Sequence, residues 1–158
     1  MDLSIVFPSL ITGAVALAAG PLFSYCMTRA AAKRESATVQ ASIVAEISAL
    51  LDLIHARGYE DGLKAGIAGQ IEGLTVGVPD SYFQVYRANL QRLGLLAPNV
   101  AKQIVYFYAL LEAVTQDVKP GGVLNDPEVD QQQKKEGFVE DAELLRRAIE
   151  IGEALRGK

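Results

Sequence analysis

The sequence predicts an all-α protein: an N-terminal transmembrane helix followed by an antiparallel helical bundle of about four to five helices. Three observations predict it. Residues 3–27 carry no charge. Later stretches repeat apolar residues at spacings of three and four, the period of one helix face. Glycine and proline punctuate the chain between those stretches, and no alternating strand or hairpin pattern competes with them. The expected division is a membrane anchor over residues 1–28 and a cytoplasmic helical domain over residues 29–158.

A helix needs roughly 20 apolar residues to cross about 30 Å of hydrocarbon, and residues 8–28 alone meet that length. Pro8 suits a first helical turn, where its missing N–H leaves nothing unsatisfied. Leu10, Ile11, Val15, Leu17, Leu22 and Phe23 together favour insertion by at most roughly 2–4 kcal/mol. Pro21 subtracts from this and is expected to kink the helix. Arg29, Lys33 and Arg34 follow the segment, whereas only Asp2 precedes it as a charged side chain, so positive charge predicts an outer N-terminus and an inner C-terminal domain. The same three residues are the expected membrane-interface contacts. A cleaved secretory signal and a buried core helix are the rival readings; the first would normally carry a basic leading region. Thr12, Ala16 and Gly20 bring small residues to one side at helical spacing, as do Ser9 and Gly13, a face that lets two helix backbones approach closely. The abundance of Ala and Gly in membrane helices accounts for the same spacing without any contact.

Beyond the span, residues 30–57 lack Pro and Gly, and Ile43, Ile47, Leu50 and Ile54 make an apolar stripe that Gly58 ends. Residues 59–77 place Gly62, Gly66, Gly69 and Gly73 within an otherwise helical pattern. That reads either as a close-packing helix face or as a weakly ordered segment. Residues 81–94 open with Ser81-Tyr82-Phe83-Gln84, a capping-box pattern, and put Phe83, Tyr86, Leu90 and Leu93 on one face. Pro98 opens the most hydrophobic of these helices, carrying Ile104, Phe107, Tyr108, Leu111, Val114 and Val118 up to the Lys119-Pro120-Gly121-Gly122 stop. Asp126 and Pro127 read as an N-cap and first turn, and residues 138–155 as a final amphipathic helix.

The chemistry-bearing residues are sparse. With 158 residues, a net charge of −4 and no basic cluster interleaved with aromatics, the chain lacks the concentrated positive face that nucleic acid requires. Cys26 is the one cysteine and cannot form an intrachain disulfide. His55 is the one histidine; it lies three residues after Asp52, which a local helix-surface contact would explain. The acidic clusters Glu60-Asp61 and Glu140-Asp141-x-Glu143 lack an EF-hand loop pattern, and the glycine-rich stretch lacks a phosphate-cradling motif. Of Tyr106-Phe107-Tyr108, Tyr106 is expected to be the exposed aromatic. No catalytic, cofactor-binding or metal-ligating residue is therefore assigned.

The residues Glu46-Ile47-x-x-Leu50, Phe83-x-x-Tyr86-x-x-Asn89-Leu90-x-x-Leu93-Gly94 and Ile104-Val105-x-Phe107-Tyr108 give a layout that resembles a loose group of small bacterial and prophage proteins. Those have one N-terminal membrane span and a helical cytoplasmic domain. The resemblance implies an architecture and a bacterial inner-membrane location, and no active-site residues. The functional expectation is a membrane-anchored module that recruits or inhibits a protein partner at the inner face of the membrane. A phage factor acting through the span, such as one for superinfection exclusion, is the alternative, and a membrane-associated enzyme a further one. Expected partners are the membrane, a second copy or another membrane protein through the span, and a protein bound by the helical domain; nucleic acid and cofactors are not expected.

Overall fold

The computed structural model describes residues 3–79 and 81–157, with side chains described from Phe23 onward. All regular structure in these residues is helical, and the chain divides into two compact units, Met1–Thr38 and Val39–Lys158. Helix α1 (Leu3–Arg57) runs through the boundary. The expected kink at Pro21 and the small-residue face at Thr12, Ala16 and Gly20 lie outside the residues whose side chains are described.

In the first unit, the side chains of residues 23–35 are all exposed. Among them are three large apolar groups, Phe23 at 69%, Tyr25 at 56% and Met27 at 57% exposure. The Thr28 hydroxyl donates back to the carbonyls of Ser24 and Tyr25 at 2.9 and 3.0 Å, satisfying itself on its own helix. Among the described residues, Phe23–Arg57 is a helical stretch long and apolar enough to cross a membrane, with an 18-residue window of mean hydropathy 1.5 that is 33% buried. The buried members of that stretch are Val39, Ile43, Ile47, Leu50, Leu51 and Ile54, so its latter part is also a core helix.

The second unit is a helical bundle around one apolar core. Burial of side chains such as Ile47, Ile104 and Phe107, each worth about 1.5–3 kcal/mol, is what drives it together. Helix α1 ends because Gly58 adopts a left-handed conformation, φ 62°, which also starts α2 (Tyr59–Ile67) at a new angle. Gly62 and Gly66 do form a close-packing face. A Cβ on Gly66 would sit about 2.4 Å from the Phe138 ring, and one on Gly62 would meet Leu74 at 3.2 Å. Gly69, at φ 69°, does not extend that face: it closes α2 in a Schellman turn, with Gln70 N donating to Ala65 O at 2.9 Å. Residues 70–79 then carry no regular structure.

Helix α3 (Gln84–Asn89) is shorter than the sequence pattern suggests and passes into a 3₁₀ turn over Leu90–Leu95. The capping box at Ser81 does not form; Phe83 occupies the cap position without a side-chain hydrogen bond. Helix α4 (Pro98–Val118) has the predicted bounds and buries Val100, Ile104, Phe107, Tyr108, Leu110, Leu111, Val114 and Val118. Helix α5 (Gln131–Arg156) starts later than Asp126: the cap is Asp130, whose carboxylate accepts Gln133 N at 2.8 Å. Asp126 instead closes a local turn onto Glu128 N. The buried seam of α5 is Phe138, Asp141, Leu145, Ala148, Gly152 and Leu155, at alternating spacings of three and four. Gly152 is the point where Leu51 of α1 and Phe107 of α4 reach α5, at 3.1 and 2.8 Å from where its Cβ would be. Arg156 pairs with Asp52 at 2.9 Å and ties the same two helix ends together.

Candidate functional site

An apolar cavity of about 60 Å³ lies within the helical domain. Its floor is buried: Leu50, Ile54, Leu63, Leu111, Val114 and Leu145 come from α1, α2, α4 and α5. Its mouth is formed by half-buried residues, among them Leu53, Tyr59, Leu74, Val78, Tyr82 and Thr115. The irregular strap 70–79 supplies one wall through Leu74, Val76 and Val78. The lining offers apolar contact and three hydroxyl groups, those of Tyr59, Tyr82 and Thr115; it offers no carboxylate, imidazole or thiol.

The strap is fastened at its centre. Val76 N donates to Val118 O at 2.8 Å, where the last carbonyls of α4 lack helical partners. Asn125 reaches across from the turn after α4. Its Nδ2 donates to Leu74 O at 2.8 Å and to Val118 O and Lys119 O at 3.0 and 3.2 Å, and its Oδ1 accepts the Thr75 hydroxyl at 2.6 Å. Gly73 permits this approach, since a Cβ there would stand 2.8 Å from Leu124 O.

Beyond the strap, the chain enters α3 through Phe83, the one non-glycine residue at positive φ (67°) among the described residues. Such a conformation is strained for a bulky side chain. Glu46 of α1 offsets it by capping α3 from outside, accepting Val85 N and Tyr86 N at 2.7 and 2.9 Å. The Tyr108 hydroxyl also donates to Glu46 Oε2, at 2.7 Å. The Tyr108 ring stacks on Tyr86, with centroids 3.9 Å apart, and meets Phe83 edge-on at 5.5 Å. Burial and the Glu46 carboxylate push the Tyr108 phenol well above its ordinary range. Burial, reinforced by Glu112, raises that of Tyr86.

Beside the cavity, Arg57 Nη1 donates to the hydroxyl of the lining residue Tyr59 at 3.0 Å. That hydrogen bond, and then the charges Tyr59 and Tyr82 would carry as phenolates, raise the guanidinium pKa. Among the described residues, Arg57 has no carboxylate within ion-pair distance.

A separate polar feature interrupts the core. Asp141 is 0% exposed, and neither of its carboxylate oxygens has a hydrogen-bond partner. Burial, then the charges of Asp117 on α4 and Glu140 on its own helix, raise its carboxyl to about 7.

The residues singled out in the sequence are dispersed. Arg29, Lys33 and Arg34 are exposed on α1, and the Arg29 guanidinium lies 5.4 Å from the centre of the Tyr25 ring. His55 is exposed, and Asp52 turns to Arg156 rather than to it. Asp61 pairs with Lys64 at 3.5 Å and Glu143 with Arg146 at 2.6 Å, which makes both acidic clusters solvated helix faces apart from Asp141. Among the described residues, no group of three or more His, Cys, Asp and Glu side chains gathers as a metal site would require. Tyr106 is exposed, as its position predicts, and accepts Arg147 Nη2 at 2.7 Å. Sequence reasoning missed Glu46, Asn125, Arg57 and Asp141. The first three act over long range or across a turn, and Asp141 looked like one more surface acid. Its signal was there in the register: it falls on the 3–4 seam between Phe138 and Leu145.

No protein family, curated protein or solved structure matches the chain.

Proposed function

We propose that the chain is a membrane-anchored helical interaction module, held at the inner face of a bacterial cytoplasmic membrane, that recruits or inhibits a protein partner there. The observation that carries the reading is the exposed run on α1. Phe23, Tyr25 and Met27 present apolar side chains without protein cover, and Arg29, Lys33 and Arg34 follow within two to three turns. Aromatic groups at a headgroup boundary with basic residues on its cytoplasmic side are what an inward-facing span end calls for. Burial of Phe23 and Met27 in lipid removes apolar area from water, and each nearby cation adds about 1 kcal/mol at an anionic surface. The small residues Thr12, Ala16 and Gly20 support self-association or docking through the span.

For a protein partner, the exposed Tyr106–Arg147 pair on α4 and α5 is the best-suited anchor. It borders a shallow depression lined by Asn99, Lys102, Gln103 and Ile151, and Tyr and Arg are the residue types that dominate interface energetics. Membrane fractionation with protease protection tests the anchor. The protein should remain in the salt- and carbonate-washed membrane fraction, with a C-terminal tag protected in spheroplasts and cleaved in inverted vesicles. Recovery of a shortened chain beginning after residue 28 would favour a cleaved signal instead. Detergent-solubilised pull-down with the Tyr106→Ala/Arg147→Ala variant tests the recruiting face, which should lose a partner that the unaltered protein retains.

A further inference from the structure

We propose that the cavity beneath the strap is a binding site for a short-chain carboxylate: an alkyl tail inside and an anionic head at Arg57. The lining dictates the tail. Leu50, Ile54, Leu63, Leu111, Val114 and Leu145 leave a floor without a polar partner for water, and apolar cavities of this kind stay dry and take up small apolar groups. A water needs about 10–15 Å³ of such space. The 60 Å³ available therefore corresponds to about four to six positions, the size of a short alkyl chain.

The mouth dictates the head. Tyr59 and Tyr82 are half-buried members of the lining, and the exposed Arg57, just outside it, is hydrogen-bonded to Tyr59 Oη at 3.0 Å with no carboxylate partner among the described residues. The Tyr59 hydroxyl and the guanidinium bonded to it offer O–H and N–H donors beside an apolar hole. A carboxylate takes two such donors at once and makes charge-assisted bonds with them. A neutral alcohol would gain the tail contacts and a weaker, uncharged hydrogen bond, and an ammonium head would be repelled. The strap supplies the way in, because it carries no regular structure and its fastening through Val76 and Asn125 leaves Val78 half-buried at the mouth. This site rests on no observation used for the membrane reading above; only the choice of nanodiscs for its test depends on that reading.

The test is methyl-labelled NMR of the full chain in nanodiscs of zwitterionic lipid, titrated with hexanoate, hexanol and hexylammonium. Hexanoate should give saturable shifts at Leu50, Leu63 and Val114 and bind most tightly, with hexylammonium weakest. Arg57→Gln, at an exposed position, should weaken hexanoate about tenfold and leave hexanol within about twofold. Thr115→Leu, which adds bulk to the lining, should weaken hexanoate and hexanol alike. Equal binding of hexanoate and hexylammonium, no effect of Arg57→Gln on hexanoate, or no saturable shift with any of the three would overturn the assignment. Discs containing phosphatidylglycerol separate the two sources of an anionic alkyl chain. If they reproduce the shifts and block hexanoate, the occupant is a membrane lipid and the proposal of a soluble carboxylate fails.

Discussion

Tyr108 and Glu46 are 62 residues apart in sequence, yet the tyrosine hydroxyl donates to Glu46 Oε2 at 2.7 Å. The same carboxylate accepts two backbone N–H groups at the start of α3. One side chain of α1 thus fixes a helix that has no cap of its own and steadies the stacked pair Tyr86–Tyr108. Replacing Glu46 by Ala removes the cap and leaves the Tyr108 hydroxyl without its acceptor. The expected loss in urea denaturation is about 2–4 kcal/mol. Glu46→Gln keeps one good acceptor oxygen and should lose about half as much. Equal stability of all three proteins would show that α3 is held by packing alone.

Gly66 and Phe138 make a sharper steric prediction. The Cβ of alanine at position 66 would fall about 2.4 Å from ring carbons of Phe138, too close for any rotamer adjustment of a buried aromatic. Gly66→Ala should therefore destabilise the domain by about 1–3 kcal/mol, although alanine is the better helix former. Phe138→Leu makes room, so adding Gly66→Ala to it should cost less than adding it to the parent. A double-mutant cycle followed by thermal melting measures that coupling, and a coupling near zero would contradict the contact.

Asn125 should govern the strap rather than the whole domain. It binds Leu74 O, Val118 O and Lys119 O and accepts the Thr75 hydroxyl. In Asn125→Ala, amide exchange at Val76, which donates to Val118 O, should quicken by about tenfold or more. Amides in the middle of α4 should keep their protection. Uniform loss of protection would mean that the asparagine supports the global fold instead.

These residues also mark where the sequence stopped being informative. The stripe Ile43–Ile47–Leu50–Ile54 and the bounds of α4 were legible because periodicity and the Pro and Gly punctuation are local signals. Gly58 was legible for the same reason. The start of α3 was not: Ser81 and Gln84 match a capping box at the right spacing, but the acceptor that serves the helix stands 39 residues earlier. Asp126 and Asp130 are both plausible caps by residue type, and only the path of the turn from Gly122 to Asp130 selects the second. The cavity could not be read at all, since it is assembled from four helices and a strap whose residues share no periodicity.

The last prediction concerns Asp141, whose environment reverses the usual effect of pH on a carboxylate. In the unfolded chain an aspartate titrates near 3.8; in the fold, burial and the charges of Asp117 and Glu140 raise Asp141 to about 7. Between those values the native state holds close to one proton more than the unfolded chain. Stability then falls as pH rises from about 4 to about 7 and changes little above that, as far as this group is concerned. The full span of the shift corresponds to about 4 kcal/mol as an upper bound. Asp141→Asn removes the ionisation while keeping the shape, and its amide can donate towards Asp117. The variant should be the more stable protein at pH 8 and lose that advantage at pH 4. Urea midpoints for parent and variant at pH 4, 6 and 8 measure this, and a difference that does not change with pH would show that Asp141 is not the group titrating there.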